Sequence, residues 1–298
     1  MPEATTFLPE DGPIVPGYQI LGKIGEGGMG VVYKARQISL DRPVALKILP
    51  ARFTEGGDFS ALFLREARVA GGLNHPNIVR VYDFGRTPKG VFFYSMELVE
   101  GENLHAILER EGRLPPQRVL GILEQMASAL EHAYRHGIIH RDIKPDNILI
   151  DGEGNAKLAD LGLAKADRVQ GLRGAGRYIS VAGSIVGTPS YMPPEQAAGK
   201  EVDIRGDLYA LGATAYHLLT GAPPFGVDTP VQVMARSLSD PVEPLQRRVE
   251  GIPAPLAGLV HRLMEKDPAD RFQTPAALRE AILSTRRGTV ETIVTAKP

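Results

Sequence analysis

The stretch His140–Asn147, which reads HRDIKPDN, is rich in acidic, amide and basic side chains. A further acidic residue, Asp160, follows thirteen residues later. Carboxylate and amide oxygens such as those of Asn147 and Asp160 suit Mg²⁺, which binds one or two protein carboxylates together with waters and substrate phosphate oxygens. Asp142 can then accept a proton from a hydroxyl group, beside Lys144, which can neutralise negative charge. A charged surface turn explains any one of these acids equally well, but it does not explain the whole string.

The segments around these residues predict a loop that enters a β-hairpin. Apolar runs flank the loop at 137–139 and 148–150. A turn, DGEG, follows at 151–154, and a short strand is predicted at 156–159. The polar groups are therefore expected at the mouth of a buried layer.

The string HRDIKPDN resembles the catalytic loop of protein kinases, and Asp160-Leu161-Gly162 resembles their metal-binding triplet, with Leu161 in place of the usual Phe. The resemblance implies that Asp142 is the catalytic base and that Lys144 contacts the γ-phosphate. It also implies that Asn147 and Asp160 hold Mg²⁺, with Mn²⁺ as an alternative ion.

Composition is that of an ordinary globular protein. The 298 residues are 43% apolar and 23% charged, and the net charge is −1, so bulk attraction predicts no nucleic-acid partner. The chain has no cysteine, which excludes a disulfide framework. The amino-terminal residues lack the pattern of a signal peptide, and no apolar run reaches the length of a membrane span. We therefore expect this chain to be cytoplasmic, although a full-length protein could be anchored through a segment outside it.

A glycine-rich turn lies within a predicted hairpin at Tyr18–Ala35. The turn reads GEGGMG from Gly25 to Gly30, and glycines let backbone N–H groups approach phosphate oxygens closely. Such a pattern alone is more often a plain turn, and its dinucleotide-binding version would open a helix. Here Val32 and Tyr33 continue a strand, which favours the kinase form of the glycine loop.

Lys47 interrupts an apolar strand predicted at Val44–Leu49, so its ammonium group should either lie at an edge or be paired. Glu66 lies in the middle of the apolar face of a helix predicted at Phe59–Ala70, so it needs a cation. We infer that Lys47 and Glu66 pair; the resemblance assigns Lys47 to the α- and β-phosphates of the nucleotide.

Two further strands, at Ile78–Phe84 and Val91–Leu98, complete a predicted five-stranded antiparallel sheet with one helix. By resemblance, ATP lies in a cleft next to this small lobe. The nucleotide-binding residues would be Ile24, Gly25, Glu26, Gly27, Gly28, Met29, Gly30, Val32, Ala45, Lys47, Met96, Glu97, Val99 and Leu149. Any of the aliphatic residues could equally be plain core.

From Asn103 onward the apolar spacing of three and four residues predicts a mainly helical larger lobe. The apolar face includes Tyr134, and Gly137 is expected to stop the helix before the catalytic loop. Asp207 begins another apolar helix, where it is a good N-cap. The resemblance adds that Asp207 holds the backbone of the catalytic loop.

The 34 residues between Asp160 and Glu195 have no helical or strand periodicity, so this loop is functional or disordered. It resembles a kinase activation segment, and its Glu195 would pair with Arg271. Arg141 would receive a phosphate from this segment. The best-placed candidate acceptors are Ser180 and Ser184, and Tyr178 and Thr188 are further candidates. Thr188 is better assigned to contacts with Asp142 and Lys144.

The resemblance covers Tyr18 to Leu283 and predicts an α+β, bilobal fold. We expect a flexible extension at 1–17, a small lobe at 18–99, a larger lobe at 100–285 and a disordered linker at 286–298. The chain is similar to bacterial eukaryotic-like (Hanks-type) Ser/Thr protein kinases, which implies protein substrates, the chain itself among them, and allows a homodimer. The alternatives are a pseudokinase scaffold and a small-molecule phosphotransferase on a related fold.

Overall fold

The computed structural model describes residues 13–27, 30–49, 70–160 and 189–295, with side chains as far as 287. These residues form two compact units. The small unit holds described residues 13–27, 30–49, 70–75 and 79–100, and the larger unit holds 76–78, 101–160 and 189–295. The predicted helix at 59–70 lies outside the described residues apart from Ala70.

The small unit is built on a five-stranded antiparallel sheet, as the sequence predicts. Its strands are β1 (Tyr18–Gly27), β2 (Gly30–Gln37), β3 (Arg42–Ile48), β4 (Val81–Arg86) and β5 (Phe92–Met96). Their order across the sheet is β1-β2-β3-β5-β4. The predicted strand at 78–84 begins three residues later than expected, because Ile78 instead forms an isolated bridge with Leu158 in the larger unit.

Strand register separates the side chains of this sheet into two faces. Val32 lies opposite Lys47 and Ala45 lies opposite Met96, so these four residues share one face, which we call the lysine face. The alternate residues of the same strands form the opposite face. Its buried members include Ala35, Val44, Leu46, Phe93 and Ser95.

The residues before β1 cover part of the opposite face. Val15 is 3% exposed and packs with Tyr18 and Phe93 in one apolar cluster. The Tyr18 hydroxyl group donates a hydrogen bond to Asp83 and contacts the Ser95 hydroxyl oxygen at 2.9 Å. The prediction of a flexible extension is therefore wrong for 13–17, because Val15 buries its side chain on the sheet; 1–12 lie outside the described residues.

The larger unit contains eight α-helices and a three-stranded sheet among its described residues. The strands are β6 (Gly101–Asn103), β7 (Ile148–Asp151) and β8 (Ala156–Leu158), with β7 in the middle. The helices are α1 (Leu104–Glu111), α2 (Pro116–Arg135), α3 (Pro194–Ala197), α4 (Ile204–Thr220), α5 (Pro230–Ser239), α6 (Leu245–Arg248), α7 (Ala254–Leu263) and α8 (Pro275–Thr295). The loop-to-hairpin prediction is confirmed by β7 and β8.

Helix α4 forms the centre of the larger unit, and fourteen of its seventeen residues are buried. Its N-cap is Asp203, whose side chain accepts a hydrogen bond from the backbone N–H of Arg205. The prediction that Asp207 is the N-cap is therefore wrong: Asp207 lies one turn inside the helix. At the other end Gly221, with φ of 77°, adopts the left-handed conformation that closes many helices.

Two other predictions for the helical residues differ from the structure. Tyr134 is 44% exposed, because it lies near the end of α2, two residues before the C-cap at His136. Helix α8 continues to Thr295, where we expected a disordered linker from Arg286. No proline interrupts 286–295, and Arg286 forms an ion pair of 2.7 Å with Glu124 of α2.

Among the residues that the structure describes, no helix combines the length and the apolar character needed to cross a lipid bilayer.

The burial of Val15 predicts a cost for truncating its side chain. Val15→Ala should lower the free energy of unfolding by about 1–3 kcal/mol, because two buried methyl groups are lost. Ile14→Ala is the matched control, since Ile14 is 78% exposed and should change stability little. Urea unfolding of both variants measures the difference, and equal midpoints would show that the segment contributes no packing energy.

Candidate active site

The loop that carries Asp142 is held by a carboxylate of helix α4. Asp207 accepts hydrogen bonds from the backbone N–H groups of His140 and Arg141, both at 2.7 Å. Arg141 has φ of 62°, a conformation that side-chain-bearing residues rarely adopt and that its surroundings must stabilise. Burial raises the pKa of Asp207, and the His140 ring and the two backbone donors oppose that shift. The N-terminal end of α4 thus fixes the backbone immediately before Asp142.

The His140 ring connects this loop to the segment that leads to Asp160. The ring is buried, and its Nδ1 accepts a hydrogen bond from the backbone N–H of Asp142 at 3.2 Å. An Nδ1 that accepts leaves the proton on Nε2, which lies 2.9 Å from the carbonyl oxygen of Ala159. His140 belongs to the HRDIKPDN motif, but no role for its ring was predicted from the sequence. One buried ring therefore joins the backbones at Asp142 and Ala159.

Two neighbouring side chains orient the Asp142 carboxylate. The Asn147 amide nitrogen donates to Asp142 Oδ2 at 3.0 Å and to the Asp142 carbonyl oxygen at 2.8 Å. Lys144 Nζ lies 3.8 Å from the same Oδ2. The Asp142 side chain is only 15% exposed, so both partners act on a carboxylate that is largely shielded from water. These contacts fix the orientation of the Asp142 carboxylate.

Asn147 and Asp160 fit the ligand set of a hard divalent cation. Both hydrogen bonds of the Asn147 side chain use its amide nitrogen, so its carbonyl oxygen faces away from Asp142. Asp160 is half-buried and has φ of 57°, the second strained backbone position of the site. The backbone N–H of Ala159 donates to the Asn147 carbonyl oxygen at 2.8 Å, which ties the two segments together. Amide and carboxylate oxygens are the ligands Mg²⁺ prefers.

In the small unit, four of the predicted nucleotide-binding residues, Val32, Ala45, Lys47 and Met96, share the lysine face. Lys47 is 4% exposed, and Ala45 and Met96 are buried beside it. Ile24 is 52% exposed. Among the other predicted residues, Gly25, Glu26, Gly27, Gly30, Val32, Glu97 and Val99 are described in this unit, and Leu149 lies in β7 of the larger unit. Glu66, Gly28 and Met29 lie outside the described residues, so the Lys47–Glu66 pair stays a prediction.

The glycine turn contains one position that only glycine can occupy. Gly30 has φ of 124°, and a Cβ atom placed there would lie 2.1 Å from the carbonyl oxygen of Ile48. A side chain at position 30 would therefore force the first residue of β2 away from the end of β3.

The ion pair predicted between Glu195 and Arg271 is present and buried. Arg271 is 1% exposed, and its two terminal nitrogens contact the two Glu195 carboxylate oxygens at 2.7 and 2.8 Å. Its remaining donors bind the backbone carbonyl oxygens of Arg205, Glu265 and Lys266. Because all five guanidinium donors are satisfied, Arg271 links α3, α4 and the segment that follows α7.

A second contact anchors the 3₁₀ turn at Pro189–Tyr191, and sequence reasoning missed it. The Tyr191 hydroxyl group lies 2.7 Å from His217 Nδ1 of α4, and the two rings stack at 6.0 Å. Burial lowers the pKa of His217 to about 4, so the ring is neutral near pH 7. The only signal in the sequence was a histidine inside an otherwise apolar helix.

The proposed phosphate acceptors Ser180, Ser184 and Thr188 lie outside the described residues. Arg141, which was expected to receive the phosphate, is half-buried, and its backbone is held by Asp207.

The geometry of Arg271 predicts that lysine cannot replace it. Arg271→Lys keeps the charge but loses the two-point contact with Glu195, and it should lower the free energy of unfolding by about 3 kcal/mol. The matched control is Arg205→Lys, because Arg205 pairs with Asp203 near the surface and should cost less than about 1 kcal/mol. Chemical unfolding measures both, and equal losses would contradict this assignment.

Comparison with known proteins places this geometry in a family. A family model described as protein kinase domain matches residues 18–283. The chain is 43% identical over 268 residues to the serine/threonine-protein kinase pkn3 of Myxococcus xanthus, covering 88% of this chain and 48% of that protein. It is 39% identical over 275 residues to the serine/threonine-protein kinase PknB of Mycobacterium tuberculosis, covering 91% and 43%. The chain thus spans less than half the length of these relatives.

A solved structure agrees with the sequence comparisons. The crystal structure of the Mycobacterium tuberculosis PknI kinase domain matches with a TM-score of 0.70 and 30% identity, covering 90% of this chain and 96% of that one. The family match spans most of the sequence and includes the Asp142 loop, the Asp207 contact and the Glu195–Arg271 pair. The chain belongs to the protein kinase family.

Proposed function

We propose that this chain is a Ser/Thr protein kinase that transfers the γ-phosphoryl group of ATP to hydroxyl groups of proteins. The observation that carries the proposal is the ordered Asp142 carboxylate, which Asn147 contacts at 3.0 Å and Lys144 at 3.8 Å. Family membership supports it, and the relatives pkn3 and PknB are named serine/threonine-protein kinases. In this reading the Asp207 contact is the scaffold that keeps Asp142 in place.

Asp142 acts as the proton acceptor in this reaction. The substrate hydroxyl oxygen bonds to the γ-phosphorus, its proton passes to Asp142, and the bond from the γ-phosphorus to the bridging oxygen breaks to release ADP. Lys144 supplies positive charge near the transferred group, and Asn147 keeps the Asp142 carboxylate oriented. The protein forms no covalent bond to the transferred group in this step. Positioning of the reactants and neutralisation of phosphate charge therefore account for most of the rate enhancement.

Asn147 and Asp160 are the residues that would hold a divalent ion, with Mg²⁺ as the proposed ion and Mn²⁺ as the alternative. When bound, the ion neutralises phosphate charge. Lys47 is proposed to bind the α- and β-phosphates, with Glu66 as its orienting partner, and the glycine turn to bind phosphate through its backbone N–H groups.

Specificity for Ser and Thr rests on the family relatives and on Lys144, two residues after Asp142. We further propose that the chain phosphorylates its own activation segment at Ser180 or Ser184 and that Arg141 binds the added phosphate. Phosphopeptide mapping of active protein tests this, and an unmodified segment in fully active protein would remove it.

The role of Asp142 is tested by Asp142→Asn. Phosphate transfer from labelled ATP to a protein acceptor should fall by roughly 10²–10⁴, because a positioned base is lost, while nucleotide affinity stays unchanged. Asp270→Asn is the matched control, since Asp270 is exposed and distant in sequence from the loop. Label found on an added metabolite rather than on protein would contradict the proposal, and so would full transfer by Asp142→Asn.

Asp160→Asn separates metal binding from base catalysis. The variant should weaken nucleotide binding in the presence of Mg²⁺ and leave the weaker binding without Mg²⁺ unchanged, because one charged ligand is removed. Calorimetric titration with ATP, with and without Mg²⁺, measures this difference. An unchanged Mg²⁺ dependence would show that Asp160 does not hold the ion.

A further inference from the structure

An open hollow of about 640 Å³ lies in the small unit, and among the described residues predicted to bind nucleotide only Glu26, Gly27 and Gly30 line it. Its floor is formed by Val31, Tyr33 and Ile48, which lie on the opposite face of the sheet. These three side chains are only half-buried, so the hollow presents apolar surface. Its size is in the range of pockets that bind apolar groups.

The walls of the hollow come from two separate segments of the small unit. One wall is the glycine turn, through Glu26, Gly27 and Gly30. The other wall includes Val91 and Lys89 from the turn between β4 and β5. A group bound in the hollow would therefore contact the strand ends that carry the glycine turn.

The amino-terminal chain leads directly into this hollow. Pro13 and Ile14 line it, while Val15, next in sequence, is buried on the same face. The backbone N–H of Tyr18 donates to the Val15 carbonyl oxygen, and that of Ile38 donates to Gly17, so this part of the segment is fixed. Ile14 itself remains 78% exposed, so its own side chain fills little of the hollow.

Residues 1–12 have the composition of a suitable occupant. After Met1, their only large apolar residues are the adjacent pair Phe7 and Leu8. Leu8 is five residues from Pro13, a span of at most about 17 Å in extended chain. Pro9 favours an extended conformation at Leu8 and lowers the entropy lost on docking. Glu10 and Asp11 precede the fixed segment, and the exposed Lys89 at the rim offers the complementary charge.

We propose that the side chains of Phe7 and Leu8 bind in this hollow of their own chain. Bound there, they stabilise the glycine turn from the face of the sheet opposite Lys47. The consequence for catalysis rests on the proposed function, since it assumes that the glycine turn binds nucleotide. Occupancy of the hollow does not depend on that assumption and is measured separately.

Occupancy is measured by the reactivity of a single thiol, which the absence of cysteine in the chain makes possible. Val91→Cys in the full chain places a thiol in the hollow, and a small neutral alkylating reagent reports its accessibility. The thiol should react at least about tenfold more slowly when Phe7 and Leu8 are intact than when both are replaced by Ala. Thr5→Ala with Thr6→Ala is the matched control and should leave the slow rate unchanged.

Two results would overturn the docking proposal. One is a fast reaction in all three proteins, and the other is a slow reaction in all three, which would mean that another group covers the hollow. Protection that depends on protein concentration would indicate a second copy instead and would also overturn binding in cis. Ile48→Cys repeats the measurement at the floor of the hollow if Val91→Cys does not fold.

The link to catalysis is tested with the same F7A/L8A substitutions in the cysteine-free chain. The KM for ATP should rise about fivefold relative to the Thr5→Ala, Thr6→Ala control. An unchanged KM in a protein whose thiol is protected would overturn the coupling to the glycine turn. Loss of phosphate transfer in every variant would instead count against the proposed function.

Discussion

The larger unit depends on one buried carboxylate, Asp207, which accepts two backbone hydrogen bonds from the loop before Asp142. These bonds stabilise Arg141 in a backbone conformation that would otherwise be costly. They thereby fix the backbone directly before Asp142. His140 carries the same constraint to Ala159 through its ring. The chemistry proposed for Asp142 and Asp160 thus rests on the position of one residue in α4.

Helix α4 is suited to this role because it is buried along nearly its whole length and is anchored at several points. Arg271 contacts the backbone at its first turn and pairs with Glu195 of α3. His217, three turns further along, binds Tyr191. A helix fixed by packing and by these polar contacts moves little, so groups attached to it keep their geometry. The catalytic loop and the segment at 189–195 therefore share one rigid support.

The sequence predicted the sheet of the small unit, the hairpin at β7 and β8 and the Glu195–Arg271 contact, because motif spacing and period-two patterns determine them. It placed the N-cap of α4 wrongly at Asp207, since two aspartates four residues apart both suit a helix start and only packing decides between them. The contact of Asp207 with the backbone before Asp142, which the resemblance implied, is confirmed. It missed the burial of Val15, because one valine among prolines carries no periodic signal. The ring contacts of His140 and His217 depend on tertiary neighbours that no local pattern contains.

The central claim is that Asp207 positions the catalytic loop, and Asp207→Asn tests it most directly. The asparagine side chain keeps one oxygen that can accept a hydrogen bond, but its NH₂ group replaces the second oxygen. Because an NH₂ group cannot accept from a backbone N–H, either the His140 or the Arg141 hydrogen bond must be lost. The rate of phosphate transfer should fall by roughly 10²-fold, because small displacements of a catalytic group have effects of this size, while circular dichroism shows an intact fold. A folded Asp207→Asn protein that transfers phosphate at the unmodified rate would contradict the account.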